Sequence, residues 1–313
     1  MHSISNKVDF YITNVCNLTC NNCNRFNNHN FRGWQRWDDY ESDYTQWSKL
    51  VKLNAATIMG GEPFLNPTLC DWIQGINNLF GIEVQVLTNG TRFAQSKHLY
   101  EKFLYQSCAT QPMNHIGVSL HNADQSGQLH ADILDFLQGP VDIFSKGHTE
   151  NNWDSDWKFV DANGIIVNVY IVDHFGNSAL TPVHTISSQG KSFKSLNLAQ
   201  QSQILRLRLY NSNPETAHQN CAFAKFKSYH FIRGRLYKCG PVALMPEFDQ
   251  QHTLEVSETD RALLNSYQSL GMDNFDQFHA EFFDKLDQAI PQCKFCPETH
   301  NIHKIYPVRK GSK

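Results

Sequence analysis

The chain has 313 residues, of which 41% are hydrophobic, 12% aromatic and only 18% charged, a balance that excludes a disordered chain and allows one large domain or a medium domain beside a small one. Lysine and arginine number 27 against 30 aspartates and glutamates, a net charge of −3, which excludes the basic surplus that sequence-independent nucleic-acid binding needs. No signal-peptide pattern opens the sequence and no apolar run reaches the ~18 residues of a membrane span, so a cytoplasmic protein engaging neither nucleic acid nor membrane is expected.

The first β-branched and aromatic run, Val8–Thr13, predicts a strand that leads straight into Cys16, Cys20 and Cys23. Nine cysteines in a chain of this kind read as metal ligands or reactive thiols before disulfides. Three thiolates on one short loop can hold three corners of a [4Fe–4S] cube and leave the fourth iron open. Zinc is the alternative, although a structural zinc site asks for four ligands. A long loop over Asn24–Asp43 follows, and then a helix over Tyr44–Leu53.

The second strand, Ala56–Met59, ends in Gly60-Gly61-Glu62-Pro63. There two glycines let backbone approach a ligand closely and a carboxylate stands ready for an ammonium group. A helix over Thr68–Phe80 carries Cys70, read as a core cysteine together with Cys108. The third strand, Ile82–Thr88, ends in Asn89-Gly90, a helix over Gln95–Gln106 follows, and the fourth strand, His115–Leu120, carries Ser119 and ends at His121. After a helix over Gln125–Leu137, a polar connection over Gly139–Asn163 reaches the fifth strand, Gly164–Val172, where Asn168 and Tyr170 share a face. The sixth strand, Ile204–Tyr210, places Arg206 and Arg208 on one face as an anion clamp or a solvent edge. Polar residues thus gather at the C-terminal ends of successive strands, where βα proteins place their active sites.

A boundary near Asn211–Pro214 separates this part from a segment of different composition. In it, Tyr229–Cys239 reads as a hairpin turning at Arg233-Gly234 that brings Cys221 and Cys239 together, and helices are expected over Glu258–Leu270 and Phe275–Ala289. Cys221, Cys239, Cys293 and Cys296 can fill a [4Fe–4S] cluster or a tetrahedral zinc site, and spacing alone leaves both open.

Cys16-x3-Cys20-x2-Cys23 followed by Gly60-Gly61-Glu62-Pro63 resembles the radical S-adenosylmethionine (radical SAM) superfamily. The resemblance implies an α/β fold: a partial (β/α)6 TIM-like barrel over residues 1–210. Its cysteine loop would hold a [4Fe–4S] cluster whose open iron takes S-adenosylmethionine. By the same resemblance Gly60, Gly61, Glu62 and Pro63 would hold the SAM amino group, and Asn89 and Ser119 its carboxylate or ribose. The family's adenine-contacting aromatic is replaced here by Asn22.

Residues 211–313 resemble the twitch domain, a short relative of the SPASM domain. That resemblance implies a small C-terminal α+β iron–sulfur domain with one auxiliary [4Fe–4S] cluster on the four later cysteines. An electron acceptor beside a radical site implies a two-electron oxidation, so a dehydrogenase-like oxidoreductase acting on a small polar molecule (sugar, cyclitol or nucleotide) is expected. Arg206, Arg208, Tyr170 and His121 are its candidate catalytic residues. A flavodoxin- or ferredoxin-type electron donor and a monomer or weak dimer complete the expectation. The alternatives are a peptide-modifying radical SAM maturase and, from another class, a non-catalytic iron–sulfur or zinc protein.

Overall fold

The computed structural model describes residues 2–20, 23, 25–27, 31–103, 115–120, 125–145, 156–171, 183–187, 205–298 and 308–309. Strand β1 (His2–Thr13) leads through the cysteine loop to helix α1 (Glu41–Leu50), strand β2 (Val51–Gly60), helix α2 (Leu69–Phe80) and strand β3 (Val84–Thr88). Strand β4 (His115–Leu120) and helix α3 (Ser126–Phe136) follow, then β5 (Val141–Ser145), β6 (Trp157–Asp161) and β7 (Ile166–Ile171). Next come β8 (Val183–Ser187) and β9 (Leu205–Leu209), helices α4 (Pro214–Gln219) and α5 (Ala222–Phe226), and the hairpin of β10 (Tyr229–Ile232) and β11 (Arg235–Tyr237). Helices α6 (Gly240–His252), α7 (Glu258–Asn265) and α8 (Phe275–Lys285) complete the elements that matter here.

Among the described residues the main sheet has nine strands in the order β11-β10-β1-β2-β3-β4-β7-β6-β5. The run from β10 to β7 is parallel, and antiparallel strands close each end. Each parallel strand alternates. Val8, Phe10 and Ile12, Ala56 and Ile58, Val84 and Val86, Ile116 and Val118, and Val167 and Val169 join one core with Trp47 of α1, Trp72 and Ile76 of α2 and Ile133 of α3. With a side-chain period of two, the opposite face is left to Asp9, Tyr11, Thr57, Met59, Gln85, Ser119, Asn168, Tyr170 and His230. The register sets Thr57 and His230 on either side of Asp9, and Tyr170 opposite Ser119.

Several expectations are corrected. The helix expected over Tyr44–Leu53 ends at Leu50, because Val51 and Leu53 alternate with exposed Lys52 and open β2 beside the start of β1. The helix expected over Gln95–Gln106 is two 3-10 turns before a short α-helix, Tyr100–Phe103. The connection over Gly139–Asn163 contains the antiparallel pair β5–β6.

The larger correction concerns the sixth strand. Among the described residues Leu205–Leu209 pairs with Val183–Ser187, as a two-stranded sheet apart from the main one, and the sixth parallel position is taken by β10 beside β1. The C-terminal hairpin therefore extends the main sheet. Tyr229 and Phe231 supply the same outward apolar alternation as β1 and join its core, which explains the docking. No helix among the described residues is long and apolar enough to cross a membrane.

Candidate functional site

The cysteine loop leaves β1 at the C-terminal edge of the parallel strands, next to the end of β2. Gly61 N–H donates to the Thr13 carbonyl and Glu62 N–H to the Val15 carbonyl, both at 2.7 Å. This contact dictates the glycines. A Cβ on Gly60, whose φ is 155°, would lie 2.3 Å from the Thr13 oxygen, and one on Gly61 would lie 2.1 Å from the Val15 oxygen and 3.0 Å from the Cys16 Cβ. Gly60-Gly61 is thus the seat on which the loop rests.

The sulfurs are held by local donors. Leu18 N–H lies 3.4 Å from the Cys16 Sγ, and the Asn27 amide 3.8 Å from the Cys23 Sγ. Asn89, at the end of β3, donates to Asn17 at 2.9 Å and lies 3.9 Å from the Cys16 Sγ, while its Oδ1 accepts from Thr91. Asn17 in turn donates to the Thr91 hydroxyl at 2.6 Å. Burial, with Cys23 and Cys16 nearby, pushes the Cys20 thiol up to about 12. Binding of a cluster by the Cys20 thiolate would therefore release a proton.

Glu62 is fully buried, and its carboxylate is engaged from three sides. It accepts from the Thr88 hydroxyl at 2.6 Å, Asn89 N–H at 2.8 Å and Phe64 N–H at 3.0 Å. It ties the end of β2 to the end of β3, and Pro63 opens the 3-10 turn that follows.

Of the other expected residues, Ser119 and Tyr170 are cross-strand partners on the sheet face opposite the main core. Burial raises the Tyr170 phenol, with Gln85 beside it opposing the shift. Among the described residues the strand bearing Arg206 and Arg208 pairs with β8. Asn22, His121 and Cys108 lie outside the described residues, and Cys70 is half-buried on α2.

The second cysteine set converges. Cys221, Cys239, Cys293 and Cys296 line one cavity with Phe223, Val242, Met245, Lys238 and Ile290. Cys221 N-caps α5 and Cys239 N-caps α6, while Cys293 lies in the 3-10 turn Pro291–Phe295 that Cys296 closes. Burial and then Cys221 push the Cys239 thiol up to about 12, and burial among the other three thiols holds Cys296 well above the usual range. Lys238, buried in the cavity wall, donates to the Leu286 carbonyl, and burial lowers its pKa.

This donor set fits a thiolate-bound group. Among the described residues no three His, Cys, Asp or Glu side chains are arranged to hold a single ion, which with zinc would need sulfurs about 3.8 Å apart for bonds of about 2.3 Å. The cavity that these four thiols help to line is about 40 Å³, roughly three times what one water needs.

A polar network missed by sequence reasoning lies between the two sites. Arg25, His230 and Asp9 are all buried, with the Arg25 guanidinium 2.9 Å from the His230 Nε2, and His230 3.5 Å from Asp9. Ser228 donates to Asp9 at 2.6 Å. The available signal was a charged or titratable residue inside an otherwise apolar strand, at Asp9 and at His230.

No family model matches the chain, and no curated protein matches it. Solved structures similar in part are those of Streptococcus suis SuiB. SuiB bound to S-adenosylmethionine is 21% identical over 38% of this chain and 26% of its own, with a TM-score of 0.31. SuiB bound to precursor peptide SuiA is 20% identical over 38% of this chain and 25% of its own, also with a TM-score of 0.31. The chain spans about a quarter of the length of these SuiB chains.

Proposed function

We propose that the chain is a radical SAM enzyme: Cys16, Cys20 and Cys23 hold a [4Fe–4S] cluster that binds S-adenosylmethionine, and Cys221, Cys239, Cys293 and Cys296 hold an auxiliary one. The observation that carries the reading is the three-thiol loop seated on Gly60-Gly61 at the C-terminal edge of parallel strands, with a four-thiol cavity beside it. When bound, the reduced loop cluster supplies the electron that cleaves SAM into methionine and a 5′-deoxyadenosyl radical.

The chain's own residues position and shield this chemistry. Leu18 N–H and the Asn27 amide lie against the sulfurs, Asn89 and Asn17 tie the loop to β3, and Glu62 fixes the strand ends. Tyr170 and Ser119, on the sheet face opposite the main core, are the substrate-side contacts of this proposal.

Two substrate classes enter the test. A peptide is tried first, since SuiB was solved with a precursor peptide. A small polar molecule is tried second, for which the polar face of Gln85, Asn168 and Tyr170 speaks.

The experiment is anaerobic reconstitution followed by iron and sulfide counts and a dithionite-driven assay for 5′-deoxyadenosine. About eight irons per chain with SAM cleavage is the expected result. A fully loaded chain that leaves SAM intact would overturn the reading in favour of a non-catalytic iron–sulfur protein. Deuterium passing from a labelled peptide or a labelled metabolite into 5′-deoxyadenosine then identifies the substrate class.

A further inference from the structure

Asn27 lies four residues beyond Cys23, is 2% exposed, and has its side-chain amide 3.8 Å from the Cys23 Sγ. The chain reverses to bring it there. Phe26 N–H donates to the Cys23 carbonyl at 3.1 Å, and Phe26 takes a φ of 62°, in the left-handed region that a bulky side chain enters only when packing insists. That packing comes from α6, where the ring of Phe248 lies 4.8 Å from that of Phe26. Phe26 and Phe31 from the first cysteine loop, Phe248 and Met245 from α6, and Phe295 from between the last two cysteines form one apolar cluster, so the two cysteine regions share a core.

A polar connection runs beside this core. Tyr11, near the end of β1, belongs to the same cluster, and its hydroxyl donates to the Asn14 Oδ1 at 2.6 Å. Burial raises the Tyr11 phenol well above its ordinary range and the nearby Cys23 adds to the rise, while a hydrogen bond from Asn27 opposes it. The phenol is therefore neutral, donating to Asn14 and accepting from Asn27. The Asn14 amide in turn donates to the Arg32 carbonyl at 2.8 Å and lies 3.4 Å from the Glu247 Oε1. Glu247 precedes Phe248 on α6 and is paired with Arg233 at 2.5 Å. Adjacent residues of α6 thus brace Phe26 by its ring and the Tyr11–Asn14 pair by a carboxylate.

The contact with sulfur has a consequence for charge. Reduction adds one negative charge to an iron–sulfur core, and the sulfurs carry a share of it. A donor N–H facing a ligating sulfur therefore stabilises the reduced state more than the oxidised one, and burial strengthens the effect because water does not screen it. At Cys16 the 3.4 Å donor is the backbone N–H of Leu18. At Cys23 it is a side chain, which a substitution can delete.

We propose that Asn27 is a positioning residue of the three-thiol site: its amide holds the Cys23 sulfur and favours the reduced loop cluster, and the Tyr11 hydroxyl holds that amide in place. The proposal rests on the reading of Cys16, Cys20 and Cys23 as ligands of a [4Fe–4S] cluster.

The test is an EPR-monitored redox titration of the full reconstituted chain, with iron counted in each sample. Wild type is compared with Asn27→Leu, which keeps the side chain's size without the donor, and with Tyr11→Phe, which keeps the ring in its core and removes the hydroxyl. A chain carrying Cys293→Ala and Cys296→Ala identifies the loop cluster's signal. In Asn27→Leu, at the wild-type midpoint, the reduced-to-oxidised ratio of the loop cluster should fall about tenfold, a shift of about 59 mV for a one-electron couple. Tyr11→Phe should lower the same ratio about threefold. The midpoint of the auxiliary cluster should stay at its wild-type value in both.

An unmoved loop midpoint in Asn27→Leu overturns the role of Asn27, and so does an equal fall at both clusters, which loosening of the shared core would give. Should Asn27→Leu fail to take up loop iron, Tyr11→Phe decides: a lowered loop midpoint supports the proposal and an unmoved one overturns it. A wild-type chain that takes up no loop cluster overturns the reading of the three cysteines and this proposal with it. A wild type with its loop cluster but indifferent variants overturns only the role of Asn27.

Discussion

Glu62 shows how one side chain can be read in two ways. In the sequence it follows two glycines at a strand end and reads as a hand for a ligand's ammonium group. In the fold its carboxylate gathers Thr88, Asn89 and Phe64. Burial outweighs those three hydrogen bonds and raises its carboxyl above the ordinary 4.5.

The sign of the linkage follows. A carboxyl raised in the folded state stabilises fully below its unfolded pKa, and that contribution is lost as pH rises through the folded pKa. From pH 4.5 upward the wild type should therefore lose stability relative to Glu62→Gln, which urea midpoints across that range will measure. Glu62→Ala removes the acceptor and leaves three donors facing none, so it should cost about 3 kcal/mol below pH 4.5. Nothing local in the sequence distinguishes the two roles of Glu62, because its partners come from the next strand.

Among the elements, the loop from Cys16 to Cys23 and the end of β2 were legible as a pair from motif and spacing. What the motif does not say is why the glycines must be glycine: Gly61 N–H donates to the Thr13 carbonyl and Glu62 N–H to the Val15 carbonyl, contacts between backbones far apart in the sequence. Replacing Gly61 with Ala forces a Cβ to within 2.1 Å of the Val15 oxygen, an overlap that should cost about 3 kcal/mol. The expected readout is loss of the loop's iron, with the iron at the four later cysteines retained. Full iron content in Gly61→Ala would show that the loop does not need this seat. The hairpin of β10 and β11 was also legible, from the alternation around Arg233-Gly234, whereas the pairing of β10 with β1 was not.

For the molecule as a whole, the shared core of Phe26, Phe31, Phe248 and Phe295 makes the two cysteine regions neighbours. Replacing both Cys293 and Cys296 with Ala should lower iron from about eight to about four per chain and leave SAM cleavage at the loop intact. The stability loss should be modest, because β10 and β11 stay in the main sheet. Zinc in place of the second set of irons would keep the radical chemistry and remove the electron-acceptor argument for a net oxidation.

The sequence by itself determined the short-range features. Three thiols on one loop, the glycine pair, and the outward alternation of β1, β2, β3, β4 and β7 follow from spacing and side-chain period, which neighbours along the chain set. Tertiary structure alone decided which strand completes the parallel run, since Leu205–Leu209 and Tyr229–Ile232 both carry strand patterns and it is Tyr229–Ile232 that pairs with β1 and adds Tyr229 and Phe231 to its core. It also decided that Arg25 is buried between the two cysteine regions and that Glu62 faces inward, because the partners of both residues come from distant parts of the chain.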